Sequence, residues 1–179
     1  MTRLTTAILC LLFITACQDE ILYNFDEQLQ IDLAIVDNYL EQNNIDHVKD
    51  DSGIRYQALH LANGDVLERE RQAAFFDVTI WFLDGTFMGS TNPDIDIANG
   101  GNGEFFTARR LDFYGPSNYG VLKYFNFIAP RMTLGDRYKV WVPSPLGYGF
   151  EVSSTIRGIQ PNTNLIIEIE MIEIRDFGG

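Results

Sequence analysis

The chain has 179 residues, of which 46% are hydrophobic, and this is enough for one domain with its own core. Its formal net charge of −12 argues against nucleic acid or an anionic lipid surface as a partner. Both cysteines, Cys10 and Cys17, lie near the N-terminus, so the sequence after them has no partner for a disulfide.

The N-terminus has the pattern of an export signal. Arg3 precedes an apolar stretch over residues 7–14 that is too short to span a bilayer. The segment Ile14-Thr-Ala-Cys17 resembles the lipobox of bacterial lipoproteins, in which the cysteine is lipidated and becomes the first mature residue. We therefore expect residues 1–17 to be a lipoprotein signal peptide and Cys17 to be the lipid anchor. The alternative is an ordinary cleaved signal with a chance cysteine.

The residues that follow Cys17 bear on location. Gln18-Asp-Glu20 resembles the surface-export signal of Bacteroidota lipoproteins. In proteobacteria, an Asp so soon after the lipidated cysteine, as at Asp19, instead resembles an inner-membrane retention signal. We expect a lipid-anchored protein of the cell envelope. The outer membrane, on its periplasmic or surface face, is favoured over the inner membrane.

A helical extension is predicted after a polar tether at residues 18–27. Within residues 28–48, apolar residues recur at steps of three and four from Ile31 to Tyr39, which indicates an amphipathic helix over residues 28–43. Asn43 and Asn44 are a plausible helix stop, because Asn tolerates the left-handed conformation. The segment 45–51 reads as a short polar link.

A different period governs residues 49–176, which we predict to form the main domain. Alternating or β-branched runs predict strands at residues 53–59, 75–82, 136–142 and 164–174, another beginning at 86–88, and a strand or hairpin within 104–114. An apolar stretch at residues 121–129 predicts a short helix that Pro130 ends or kinks. The fold class is therefore α+β, a twisted antiparallel sheet of about five or six strands wrapped on one short helix. Alternation in the last strand predicts one solvent-exposed face.

Several segments, in order, resemble an FKBP-type peptidyl-prolyl cis-trans isomerase. They are Ser52-Gly-Ile-Arg-Tyr56, the strand ending in Asp84-Gly85, Met132-Thr-Leu-Gly-Asp136, the turn Gly147-Tyr-Gly149, and the loop Gly158-Ile-Gln-Pro161 before the final strand. The resemblance implies an FKBP-like fold and an isomerase that acts on proline-containing polypeptides of the envelope without a cofactor.

The resemblance also implies which residues line the groove. Tyr148 and Phe125 match the two catalytic positions, a Tyr whose hydroxyl bonds a substrate carbonyl and an aromatic residue at the groove floor. The implied substrate-binding residues are Met88, Val121, Leu122, Ile159 and Ile167.

Three departures favour a second reading. Val78 stands where the family has a Tyr, Gly89 stands where it has a buried Asp, and the insert over residues 92–118 is long. The alternative function is a weak or inactive FKBP-like lipoprotein that binds peptides as a chaperone or assembly factor. A structural lipoprotein with no groove is a third possibility.

Nothing in the sequence predicts a metal. His47 and His60 are isolated, and Asp94 to Gly100 lacks the remaining ligands of a calcium loop, so a loop of turn residues is expected there. Ser153 and Ser154 have no neighbouring His, which argues against a hydrolase triad. We expect a monomer.

Overall fold

The structure, a computed structural model, describes residues 23–68, 70–104, 110–111, 123–150 and 158–176. The helices are α1 (Phe25–Gln42), α2 (Pro93–Ala98) and α3 (Lys123–Ile128). The strands are β1 (Val48–Lys49), β2 (Arg55–His60), β3 (Gln72–Phe82), β4 (Phe87–Ser90), β5 (Arg110–Leu111), β6 (Arg137–Val142) and β7 (Leu165–Asp176).

Helix α1 begins earlier than the apolar periodicity indicates. The side chain of Asn24 accepts a hydrogen bond from the Glu27 amide at 3.2 Å, which caps the helix at its N-terminus. Residues 25–27, expected in the tether, are therefore helical. At the other end, Asn44 adopts a φ of 51°, the left-handed conformation that the predicted helix stop requires.

One antiparallel sheet organises the described chain, in the order β1-β2-β6-β7-β3-β4, with β5 also paired to β3. The predicted α+β plan is confirmed, although the count is seven because β1 and β5 contribute two residues each. Strand β1 lies within the predicted link at 45–51, where its pairing with β2 outweighs the polar sequence. Strand β7 lies between β6 and β3, so Ile167 faces Val140 on one side and Ile80 on the other.

The main cluster of buried side chains lies between the sheet and α3. Its members are Ile54, Ala74, Phe76, Val78, Ile80, Tyr124, Phe125, Ile128, Ala129, Met132, Tyr138, Val140, Val142, Leu146, Ile159, Leu165, Ile167, Ile169 and Met171. Successive β3 residues point to opposite faces, so Phe76, Val78 and Ile80 share the face that α3 covers.

The opposite face of the sheet is only partly exposed, contrary to the single wet face predicted from β7. Val36 and Leu40 of α1 pack there on Trp141 of β6 and Ile166 of β7. Exposure of this face begins beyond Ile166, where β7 alternates buried with half-buried residues. The period of one strand cannot reveal that a helix more than a hundred residues earlier covers it.

Helix α2 lies within the insert over residues 92–118, and α3 follows it. Residues 94–100 were expected to be a loop, but the side chain of Asn92 caps α2 and Pro93 occupies its first turn. Helix α3 gives way to a 3₁₀ turn at Ala129–Arg131, which contains the predicted breaker Pro130. Among the residues with a described position, no helix is both long and apolar enough to cross a membrane.

Candidate functional site

The turn that carries Tyr148 is organised around one carbonyl. After β6, a 3₁₀ turn at Ser144–Leu146 leads into Gly147-Tyr148-Gly149. The Ser144 carbonyl accepts hydrogen bonds from the Gly147 amide at 2.9 Å and from the Gly149 amide at 2.7 Å. Gly149 has a φ of 64°, a conformation that is costly for a residue with a β-carbon. Tyr148 is thus fixed between two bonded glycines, and its half-buried side chain packs on the main cluster.

Ser144 is held in turn by two other segments. Its amide donates to Asp32 Oδ2 of α1 and to Asn164 Oδ1, each at 2.9 Å. Its hydroxyl also donates to Asp32 Oδ2, and Asp32 Oδ1 accepts from Gln28 Nε2 at 2.8 Å. Asp32 is only 1% exposed, so its carboxylate is one of the most deeply buried acidic groups in the described chain. The sequence analysis did not single out Asp32, Ser144 or Asn164.

Phe125 lies on α3 and belongs to the same cluster that Tyr148 packs against. Its ring makes an edge contact with Phe76 at 5.7 Å between centroids and lies 4.5 Å from the ring of Tyr124. Phe125 is 4% exposed, so a ligand would meet only a small part of its ring. The position suits the floor of a shallow groove and equally suits the core beneath one.

The remaining predicted groove residues meet the same cluster from other strands and loops. Ile159 and Ile167 are fully buried. Met88 of β4 is half-buried, and its terminal methyl lies 3.3 Å from where a β-carbon on Gly158 would be. Met88 therefore borders the loop that leads to Ile159. Val121 and Leu122 lie outside the described residues.

Five of the seven predicted groove residues therefore join one apolar cluster. Phe125, Ile159 and Ile167 are buried in it, while Met88 and Tyr148 are half-buried at its margin. Tyr148 is the only one of the five whose side chain carries a hydroxyl.

Tyr124 is a component of the site that the sequence analysis missed. It is 1% exposed on α3. Burial raises the pKa of the Tyr124 hydroxyl well above its usual value, and the neighbouring Tyr148 raises it further. Tyr124 therefore stays protonated at physiological pH and places a second phenol beside Tyr148. The sequence feature that could have pointed to Tyr124 is its place next to Phe125 in the predicted helix.

The acidic side chains around β4 do not replace the carboxylate that the family resemblance would place at Gly89. Asp77 of β3 accepts from Thr91 Oγ1 at 3.0 Å and from Asn92 Nδ2 at 3.3 Å. Asp96, 2% exposed, accepts from the Ser90 amide at 3.3 Å and from the Gly103 amide at 3.0 Å. Both acids organise the segment after β4, and Val78 brings no hydroxyl to the cluster.

The residues with described positions contain no group of three or more His, Cys, Asp and Glu side chains that could hold a metal ion. His47 Nδ1 lies 2.9 Å from the Ile45 carbonyl, and His60 is exposed at the end of β2.

Comparison with known proteins supplies the fold. No protein-family model matches the sequence, and no curated protein matches it significantly. FkpA from Escherichia coli superposes with a TM-score of 0.55 at 18% identity, covering 85% of this chain and 63% of FkpA. The fold is FKBP-like. A peptidyl-prolyl cis-trans isomerase from Pseudomonas syringae pv. tomato superposes with a TM-score of 0.53 at 16% identity, covering 84% of this chain and 96% of that one.

These structural similarities concern the fold. At 18% and 16% identity they establish the architecture, with the N-terminal helix and the antiparallel sheet, and not the activity. The chain spans only 63% of the length of FkpA. The FKBP-like fold expected from the sequence is confirmed, and the roles of the individual groove residues stay predictions.

Proposed function

We propose that the protein is a peptidyl-prolyl cis-trans isomerase that binds proline-containing segments against the main cluster beside Tyr148. The observation that carries the proposal is the convergence of Met88, Phe125, Tyr148, Ile159 and Ile167 on one apolar cluster in an FKBP-like fold. Such a cluster, with the Tyr148 hydroxyl at its margin, suits a proline ring and the carbonyl before it.

The chemistry requires no acid, base or nucleophile. Rotation about a peptide bond faces a barrier of about 18–20 kcal/mol because it breaks amide resonance. The twisted amide is less dipolar than the planar one, so a water-poor apolar surface favours it over the ground state. Each reduction of about 1.4 kcal/mol in the barrier accelerates exchange about tenfold.

Tyr148 is assigned the role of holding the substrate carbonyl. A neutral phenol can donate one hydrogen bond without a proton leaving the enzyme. The two glycine amides bonded to the Ser144 carbonyl support this role, since they restrict the backbone on both sides of Tyr148. Phe125 is assigned the floor, and Val121 and Leu122 the remaining contact surface.

The test is acceleration of cis-trans exchange in a Xaa-Pro tetrapeptide by the purified protein. We expect acceleration over the spontaneous rate, and we expect Tyr148→Phe to lower kcat/KM about tenfold by removing one hydrogen bond to the carbonyl. Tyr56→Phe is the matched control, because Tyr56 is also half-buried against the main cluster but lies on β2. A folded protein with no acceleration would refute the proposal.

A second variant pair tests the floor. Phe125→Leu keeps most of the buried volume and removes the aromatic face, and Phe127→Leu makes the same change on the same helix at a half-buried position. Loss of turnover in the first variant alone is expected. Equal turnover in both would remove Phe125 from the site.

A peptide-binding module without turnover is the second candidate. The buried Gly89 in place of a carboxylate and the long insert over residues 92–118 favour it. Binding of a proline-containing peptide with no acceleration, abolished by Phe125→Leu, would establish this function in place of catalysis.

We further propose that the protein acts in the cell envelope as a monomer, anchored through a lipid on Cys17 and resembling the lipoprotein form found in Bacteroidota. The proposal rests on the Ile14-Thr-Ala-Cys17 pattern and on the acidic residues that follow it. Metabolic labelling with a fatty-acid analogue should mark the full chain but not Cys17→Ser. Fractionation would then distinguish the outer from the inner membrane, and label in Cys17→Ser would refute the anchor.

A further inference from the structure

We propose that Asp32 of α1 is a positioning residue for Tyr148, so that the N-terminal helix contributes to the isomerase site by holding the turn that carries Tyr148. The inference rests on the proposed function for its catalytic consequence. Its structural content, that Asp32 fixes the turn around Tyr148, can be measured without any activity.

The first step is the bond between Asp32 and Ser144. Asp32 is 1% exposed and Ser144 is also 1% exposed, so water does not compete for their hydrogen bonds. One carboxylate oxygen, Oδ2, receives both the amide and the hydroxyl of Ser144. Hydrogen bonds to a carboxylate are roughly twice as strong as those between neutral groups. Asp32 therefore fixes both the backbone and the rotamer of Ser144.

The second step leads from Ser144 to Tyr148. Gly147 and Gly149 both donate their amides to the Ser144 carbonyl, at 2.9 and 2.7 Å. Gly149 in turn offers its carbonyl to the Asn162 amide at 2.7 Å, which ties the turn to the loop before β7. A shift of Ser144 must move both neighbours of Tyr148, because each is bonded to the same atom.

Other residues at and near the start of α1 also lie against the Tyr148 turn. A β-carbon on Gly53 would meet Leu29 Cδ1 of α1 at 3.3 Å and Leu146 Cδ1 of the turn at 3.4 Å. Tyr23, just before α1, packs its ring on Phe150 with centroids 4.7 Å apart. The beginning of α1 thus contacts the turn before and after Tyr148, with Asp32 as its buried polar link.

A second acidic residue of α1 provides the matched control. Asp37 also crosses from α1 to the sheet, where it accepts from Arg55 Nε at 2.7 Å and from Lys49 Nζ at 3.0 Å. These partners lie on β2 and β1 rather than in the Tyr148 turn. Loss of Asp37 weakens the attachment of α1 without removing any bond to Ser144.

The experiment compares Asp32→Ala, Asp32→Asn and Asp37→Ala in the full chain. Asp32→Ala removes the acceptor, but the Ser144 amide keeps Asn164 Oδ1, so the fold is expected to survive. In Asp32→Asn, the new amide oxygen can accept from Ser144. Its NH2 group can donate to Gln28 once the side-chain amide of Gln28 flips. This variant therefore tests whether restored hydrogen bonds rescue the turn.

Two readouts are needed. Amide hydrogen exchange at Gly147 and Gly149 reports the turn, with the Ile167 amide of β7 as the standard for global opening. Relative to that standard, we expect Asp32→Ala to speed exchange at both glycines about tenfold or more. We expect kcat/KM for the tetrapeptide to fall about tenfold in Asp32→Ala, since small misplacements of a catalytic group are costly.

The rescue and control variants complete the prediction. Asp32→Asn should stay within about threefold of the wild type in both readouts, because its neutral bonds keep the geometry with less strength. Asp37→Ala should lower stability but leave the exchange of Gly147 and Gly149 unchanged relative to Ile167. If Asp32→Ala does not fold, Ser144→Ala replaces it, with a smaller increase in glycine exchange expected from the loss of the hydroxyl bond.

The outcomes separate this inference from the proposed function. Unchanged glycine exchange in Asp32→Ala, or equal effects of Asp32→Ala and Asp37→Ala, would overturn the inference. Equal losses in Asp32→Ala and Asp32→Asn would also overturn it, because bonded geometry would not be what matters. A wild-type protein without turnover refutes the proposed function, and glycine exchange still decides whether Asp32 fixes the turn.

Discussion

The Tyr148 turn and the β4 edge border the same apolar cluster, but the turn presents a tyrosine and the β4 edge presents a methionine to it. In the turn, directed hydrogen bonds link Asp32, Ser144 and the glycines beside Tyr148. At the β4 edge, the half-buried Met88 meets Gly158 through an unbranched, adaptable side chain. The proposed site is therefore rigid where a substrate carbonyl would be held and pliable where substrate side chains would lie.

The two regions also differ in what anchors their polar groups. Around β4, the hydroxyls of Thr79 and Ser90 share a hydrogen bond at 2.8 Å, and Thr91 Oγ1 accepts from the Val78 amide at 2.8 Å. These bonds join β4 to its neighbour β3 in the sheet. The Tyr148 turn depends instead on α1, an element that precedes the sheet. Variants that act on one region alone can therefore test the difference.

The largest expected effect comes from Ile167, a fully buried residue of the cluster that both regions border. Ile167→Ala should lower the free energy of unfolding by about 3–4 kcal/mol, because it leaves a cavity at the centre of the main cluster. Denaturant titration measures the loss. Ile172→Ala on the same strand is the control, since Ile172 is 38% exposed and should cost only about 0.5 kcal/mol. Similar losses in both variants would contradict the placement of β7.

A smaller effect is expected from the salt bridge that holds α1 outside both regions. Hydrogen bonding from Arg55, aided by Lys49, lowers the pKa of Asp37 from 3.8 to about 2. Asp37→Asn should cost about 1–2 kcal/mol near neutral pH, an amount limited by solvent because 32% of the side chain is exposed. Turnover should not change.

The same salt bridge predicts a pH dependence with a definite sign. A depressed pKa in the folded state stabilises the protein above the ordinary value of the carboxyl, and this contribution is lost as pH falls through the folded value. The stability difference between wild type and Asp37→Asn should therefore shrink from about pH 5 to about pH 2. Thermal melts across this range measure it, and a constant difference would contradict the assigned ion pair.

Two glycines compare the regions directly. Gly149 beside Tyr148 and Gly85 before β4 have φ values of 64° and 86°, so alanine at either should cost about 1 kcal/mol. The melting temperatures should fall by a similar few degrees. Only Gly149→Ala should lower kcat/KM, because only that turn carries the proposed donor. Equal loss of turnover in both variants would show that the turn has no special role.

The smallest effect is expected at the pliable edge. Met88→Leu should change stability by less than about 1 kcal/mol, because it conserves volume. It should alter the preference among tetrapeptides with different residues before proline while leaving the best kcat/KM nearly unchanged. A panel of such peptides measures this. An unchanged preference would remove Met88 from the groove.

Local patterns predicted most of the sheet, because strand alternation and turn residues are encoded within short windows. The strands around Ile80, Val140 and Ile167 lie where the residue pattern placed them. The FKBP-like fold was expected from the family resemblance of several segments in order. Asn92 and Pro93 carry a helix-start signal for α2 that the sequence analysis did not use.

The features that escaped prediction depend on distant pairings. Asp32 and Ser144 are 112 positions apart, and each is an ordinary surface residue type in its own segment. Nothing local indicates that α1 buries Asp32 against the Tyr148 turn and covers Trp141 on the other face. Such contacts arise from the way α1 crosses the sheet, which the helical period of α1 alone does not determine.

Two-dimensional exchange NMR on a Xaa-Pro tetrapeptide at equilibrium tests the central claim most directly. A catalyst speeds both directions and leaves the cis and trans populations unchanged, whereas a binding module shifts populations only at stoichiometric amounts. With a trace of protein, we predict strong cis-trans cross-peaks. In Tyr148→Phe, the exchange rate derived from these cross-peaks should be about tenfold lower. Exchange at the spontaneous rate, with populations shifted only when the folded protein is stoichiometric, would contradict the isomerase and favour the peptide-binding module.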